Sequence, residues 1–467
     1  MNHPNQESDA KPPAAEHGIP RNPIINRTVC WKCTTQTDPW QDRDCPVTES
    51  SGKPFLNSLK VYPEKAFQEI LGWGGCFNEK GWEALAVLSP KERQAVIEAL
   101  FDPVKGCKFN ICRIPIGASD FSCDLYSLAE TNGDYSMEHF TLARDRKRLI
   151  PYIRNAMDCQ PDLKIWGSPW SPPKWMKTGG AYTFGSLKDD EATLSSYALY
   201  LSKFVQAYRQ EGIDLFAVMP QNESCWNNRD YPACGFTPDQ YRNFLKHFLI
   251  PRFEQEGLDC EIWLGTVVDA EYGDIPHGFA FVSDLLSENS IREKVAGVGL
   301  QYATRTLLET NAAFSELPLM QTETPCGDGV NDWSYAKSQF DCIKIYLDGG
   351  VGSYMLWNMV LDETGRSVAG WPQSAPVTVD TNKKSFVLNA QFYMFKHFSG
   401  FATPGGHRIG ISGSWNDAVA FRNPNGEIVV VAQNATESAA VVTIDIDGSR
   451  IHPELPPRSW NTFVKPA

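Results

Sequence analysis

The chain has 467 residues and a mass of 52.2 kDa, room for a barrel of about 250 residues and a smaller partner domain. Its formal net charge of −13 and pI near 5.2 exclude nucleic acid or an anionic membrane surface as a partner held by bulk charge, because the mean field repels both. No apolar run approaches the roughly 18 residues of a membrane-spanning helix, so stable membrane insertion is not expected.

In chain order, residues 1–22 are polar and rich in Pro and Ala, lack the apolar stretch of a secretory signal, and read as a disordered tail. The 13 Cys form no framework and point to a reducing compartment where Cys acts as a small hydrophobe; cytoplasm is the default, with a secreted mature form left open. Residues 23–68 begin with a β-branched and aromatic run over 24–37, broken afterwards by Pro39 and Pro46, and predict strands outside the main sheet. The CxxC of Cys30-Trp31-Lys32-Cys33 has no second pair, whereas a structural zinc needs four ligands.

From 69 to 375 short apolar runs alternate with amphipathic stretches. The runs lie near 70–75, 109–116, 163–168, 215–220, 261–267, 295–302, 317–322 and 352–357, and predict eight parallel strands. Ser89-Pro90-Lys91-Glu92 and Thr237-Pro238-Asp239-Gln240 carry helix-start signals. This repetition favours an α/β architecture, a (β/α)8 TIM barrel, and no GxGxxG fingerprint supports a dinucleotide. From 376 to 467 the period returns to two, with turns at Asn423-Pro424-Asn425-Gly426 and Asp447-Gly448, and predicts an antiparallel β-domain.

Two segments carry the chemistry. Met219-Pro220-Gln221-Asn222-Glu223 and Leu319-Met320-Gln321-Thr322-Glu323 each place a glutamate at the C-terminal tip of a predicted strand, four and seven in the series. Barrel active sites form on that face, and paired carboxylates are the minimum equipment for cleaving a glycosidic bond. The eight His occur singly, with no HExxH, GxSxG or P-loop, so no metal or other cofactor is expected.

Around these glutamates stand Ser168-Pro169-Trp170-Ser171-Pro172-Pro173-Lys174-Trp175, Asp120 in Ala118-Ser119-Asp120-Phe121-Ser122, and Trp357-Asn358 after Ser353-Tyr354-Met355-Leu356. In this order, from about residue 25 to the C-terminus, the chain resembles glycoside hydrolase family 30, the glucosylceramidase-like group. The resemblance implies that the N-terminal and C-terminal strands combine in one β-sandwich against the barrel. It implies Glu323 as nucleophile and Glu223 as acid/base of a retaining β-glycosidase, with Asn222 donating to the sugar 2-hydroxyl. Asp120, Trp170 and Trp357 would hold the glycone, and Arg113 would keep Glu323 ionised. Gln301 and Tyr302 occupy positions where family members carry His or Gln and an aromatic. Trp371, in the loop Arg366-Ser367-Val368-Ala369-Gly370-Trp371-Pro372-Gln373, would wall the leaving-group side. A β-D-glucoside is the expected substrate, with β-xylosidase, β-1,6-glucanase and a non-catalytic carbohydrate-binding protein as the alternatives.

Overall fold

The computed structural model describes residues 29–47, 56–224, 230–268, 278–302 and 316–467. The expected tail over 1–22 lies outside them, as do residues 23–28.

Eight parallel strands form the central sheet: Gly72–Cys76, Ile111–Pro115, Lys164–Ser168, Leu215–Val218, a fifth in two pieces (Glu261–Ile262 and Leu264–Val267), Val298–Gln301, Leu319–Glu323 and Ser353–Asn358. Each pairs with its sequence neighbours and the eighth pairs with the first. The split fifth strand completes the ring, its first piece on strand four and its second on strand six. Strands one and two approach backbone to backbone at Gly74, where a Cβ would sit 1.8 Å from the carbonyl oxygen of Ile111. Only glycine fits there.

The helix signals hold. Ser89 and Glu92 form a reciprocal capping box on Pro90–Phe101, and the Thr237 side chain caps Pro238–Phe244 through the Gln240 N–H. The 20-residue helix Glu191–Gln210 starts at an Asp190 cap and buries Leu194, Leu201, Phe204 and Tyr208 against the barrel. Inside the ring, Ile111, Trp166, Ala217, Met219, Trp263, Met320 and Met355 pack into an apolar plug. The barrel is thus filled from below, and side chains at the C-terminal strand ends rest on a rigid floor.

The second sheet mixes both ends of the chain. Cys30–Thr35 lies antiparallel to Ser459–Lys465, and Asn57–Glu69 pairs with His407–Gly413 and with Ala440–Ile446. Within Cys30–Thr35 the two cysteines of the CxxC fall on opposite faces, Cys30 exposed and Cys33 buried, as residues three apart in a strand must. The expected second start of this domain at 376 is not where its strands resume. Val377–Asp380 and Ser385–Leu388 instead join Val360–Asp362 in a separate three-stranded sheet, and the sandwich strands return at His407. Between them the helix Ala390–Ser399 spans the seam. Trp73 of the first barrel strand packs on Phe395, Phe398 and Phe421 and donates Nε1–H to the Ala402 carbonyl, and Trp333 stacks on Trp460 with centroids 3.7 Å apart.

Candidate active site

Arg113, fully buried at the third position of strand two, organises the mouth of the barrel. Its guanidinium lies 4.2 Å from the Trp170 ring, 5.0 Å from Trp166 and 5.4 Å from Trp357, so apolar faces replace its water. Its donors are spent in a fixed pattern. Nη1 reaches Glu323 Oε2 at 2.8 Å, Nη2 reaches Asn222 Oδ1 at 2.6 Å, and Nε and Nη2 reach Ser168 Oγ at 3.0 and 2.9 Å.

Gln301, the last residue of strand six, ties the two halves together. Its Nε2 lies 2.8 Å from Asn222 Oδ1, 2.9 Å from Thr266 Oγ1 and 3.1 Å from Glu323 Oε2, so its two hydrogens are shared among three acceptors. The Thr266 hydroxyl donates to Asn222 Oδ1 at 2.9 Å and accepts the backbone N–H of Glu223 at 3.2 Å. With three donors converging on Oδ1, the Asn222 amide has one orientation, and Nδ2 is its only remaining donor group.

Glu223 adopts φ +50°, a left-handed conformation uncommon outside glycine, which turns its side chain away from the strand path. Tyr231 Oη donates to Glu223 Oε2 at 2.7 Å, and Trp371 lies edge-on to Tyr231 at 5.5 Å. Trp371 therefore sits beside Glu223 by way of Tyr231. Tyr302, half-buried, follows Gln301 directly at the strand end.

Asp120 completes the pocket. The Trp357 indole N–H approaches its Oδ2 at 3.4 Å, Trp357 packs on Trp170 with centroids 4.9 Å apart, and Oδ1 is buried without a partner among the described residues. Burial pushes the Asp120 carboxyl up to about 7, with the charge of Glu223 adding to it. Burial likewise pushes Glu323 up, to about 8, with Arg113 opposing the rise and Glu223 and Asp120 reinforcing it. One guanidinium serves three carboxyls, so the free pocket holds protons as well as negative charge near neutral pH.

The structure thus brings Arg113, Asp120, Trp170, Asn222, Glu223, Gln301, Glu323, Trp357 and Trp371 to one end of the barrel. Sequence reasoning missed Ser168, Thr266 and Tyr231. Ser168 and Thr266 stand at strand ends that the periodicity did identify. Tyr231 lies on a loop beyond strand four with no local signal. Among the described residues no three His, Cys, Asp or Glu side chains are grouped to hold a metal ion, and no helix is long and apolar enough to cross a membrane.

A parallel barrel with a β-sandwich and two glutamates at the ends of strands four and seven defines a glycoside hydrolase architecture. Residues 70–402 match the glycosyl hydrolase family 30 TIM-barrel domain and residues 405–463 match that family's β-sandwich domain. The chain belongs to glycosyl hydrolase family 30. It is 28% identical over 436 residues to the lysosomal acid glucosylceramidase of Mus musculus, spanning 87% of this chain and 83% of that one. It is 26% identical over 436 residues to an endo-1,6-β-D-glucanase of Aspergillus fumigatus, spanning 86% of each. Its fold matches that of a solved endo-β1,6-glucanase with a TM-score of 0.84 at 24% identity, over 94% of this chain and 99% of that one.

Proposed function

We propose that this family 30 hydrolase is a retaining β-glucosidase of the glucosylceramidase-like type, with Glu323 as nucleophile and Glu223 as acid/base. The observation that carries the assignment is the asymmetry of the pair. Glu323 Oε2 takes a guanidinium and an amide N–H, which support its carboxylate form against the burial that raises its proton affinity, while Glu223 meets a neutral phenol, which suits a group that gives and takes a proton.

In the first step Glu323 attacks the anomeric carbon as Glu223 protonates the departing oxygen; in the second, Glu223 deprotonates water and the glycosyl-enzyme is cleaved. Asn222 Nδ2 meets the 2-hydroxyl, a bond that strengthens as the oxocarbenium-like transition state forms. Asp120 Oδ1, buried and open, accepts distal hydroxyls of the glycone, and Trp170 and Trp357 wall the same side. The name of the mouse relative supports a glucoside with a lipid-like leaving group; the name of the fungal relative favours an internal β-1,6-glucan linkage as the second reading.

The test is turnover of nitrophenyl β-glucoside, β-xyloside, β-galactoside and β-fucoside beside a soluble β-1,6-glucan. Preferred cleavage of the β-glucoside, lost in Glu323→Gln and Glu223→Gln, is the expected result. Activity confined to the β-xyloside or to internal glucan bonds would replace the substrate assignment.

A further inference from the structure

A second cavity, of about 610 Å3, opens at the seam of barrel and sandwich. It is bounded by the segment leading into strand two, at the N-terminal end of the barrel and so opposite the mouth. Lys32, Lys105, Lys108 and Lys396 line it together with Trp40 and Phe401, and Glu427 is the one carboxylate among its lining residues.

Such a grouping is unexpected in a chain of net charge −13. Among the described residues Lys32 alone of the four has an ion pair, to the largely exposed Asp42 at 2.6 Å; Lys105, Lys108 and Lys396 have none. The ammonium groups of Lys396 and Lys32 stand 4.6 and 5.9 Å from the Trp40 ring centroid, so two cations share one indole. Lys396 is further fixed by donating to the Lys105 carbonyl at 2.6 Å. Lys108 holds φ +56°, a left-handed conformation uncommon outside glycine, and remains half-buried. Burial lowers the affinity of Lys108 and Lys396 for their protons; the charges of Glu427 and Asp102 oppose this at Lys108, and the neighbouring lysine charges add to it at Lys396. Four lysines face one lining carboxylate, Glu427, so the cavity is net positive and partly out of water in the free protein, and an anion in their midst offsets that charge.

We infer that this cavity is a binding site for a small organic phosphate, with the phosphate on Lys32, Lys108 and Lys396 and the organic body along the apolar wall of Phe401 and Val464. Lysine ammoniums bind phosphate as point charges and need no planar fork. The volume falls within the range of small-molecule sites and leaves room for a body attached to the phosphate. No step of glycoside hydrolysis uses these residues, so the site would act beside catalysis rather than in it.

The probe is glucose 6-phosphate, titrated into the full chain by calorimetry and tryptophan fluorescence, with saturating glucose present to occupy the catalytic pocket. Saturable one-to-one binding is expected, weakened about tenfold in Lys108→Gln and again in Lys396→Gln, with an emission change that disappears in Trp40→Phe. Lys108→Gln should keep the wild-type Tm and the wild-type rate on nitrophenyl glucoside, which separates loss of the site from loss of the fold. Absence of saturable binding overturns the proposal. Equal affinity in the wild type and Lys108→Gln overturns it too, and inorganic phosphate binding as tightly as glucose 6-phosphate would remove the organic body from the assignment.

Discussion

Tyr231 donates its phenol to Glu223 Oε2 at 2.7 Å, and this bond links the acid/base candidate to a loop that lies outside every strand of the barrel. The same tyrosine carries the edge of Trp371. Removing the hydroxyl should therefore disturb proton transfer and leave glycone recognition in place. Tyr231→Phe is expected to lower kcat about tenfold, the loss of a hydrogen bond of about 1.5 kcal/mol to a carboxyl, with KM for nitrophenyl β-glucoside nearly unchanged. Steady-state kinetics across pH check both parts, since the limb that reports Glu223 should move and the limb that reports Glu323 should not.

Trp371→Ala should show the complementary pattern. The half-buried ring packs on Tyr231 and makes no contact with the glycone-side residues Asp120 or Trp170 among its described ring contacts. Its loss should raise KM for glucosides with a bulky apolar leaving group more than for methyl β-glucoside. Competition between the two leaving groups measures the difference, and Tm should stay within a few degrees of wild type.

Arg113 makes the sharpest stability prediction. It is fully buried and pairs with Glu323 while crossing to Asn222 and Ser168. Arg113→Met leaves a buried carboxyl without its cation and an amide oxygen without one of its donors. A loss of about 3–5 kcal/mol is expected at pH 9, shrinking at pH 6 because Glu323, whose carboxyl burial pushes up to about 8, then carries a proton. Denaturant unfolding at the two pH values reads this directly.

Two buried aspartates with raised proton affinity, Asp120 and Asp145, give a sign to the pH dependence. Burial raises Asp120 to about 7, and burial also raises Asp145 to about 7 although Tyr208 and Tyr126 donate to it. Each binds its proton more tightly folded than unfolded, so its contribution to stability is full below the unfolded value of about 4 and is lost as pH rises through 7. Tm should fall between pH 5 and pH 8. Asp120→Asn should raise Tm at pH 8 more than at pH 5 while abolishing activity, and scanning calorimetry at both pH values checks it.

How much of this was legible in the chain depended on how local each feature is. Glu223 and Glu323 follow or close strands four and seven, where an apolar run stops at a charged residue, Arg113 is a lone charge inside an apolar strand, and all eight runs became barrel strands. Ser168 and Thr266 look ordinary in sequence because their roles come from where four different strands deliver Arg113, Asn222, Gln301 and Glu323. The stretch 377–380 shows the other kind of gap. Its alternation announces a strand, but period two does not name a partner, and it pairs with Val360–Asp362 rather than with the sandwich. The break in strand five was hidden for a similar reason, since Trp263 is apolar like its neighbours but turns into the barrel interior and bonds back to Glu261.

Double displacement requires that Glu323 form a covalent bond to the sugar. Incubation with a 2-deoxy-2-fluoro-β-glucosyl fluoride, which reacts and then releases slowly, followed by mass spectrometry of the peptides, tests it most directly. One 2-fluoroglucosyl adduct per chain, carried on Glu323 and absent in Glu323→Gln, is expected. An adduct on Glu223 or Asp120, or inactivation without any covalent adduct, would contradict it.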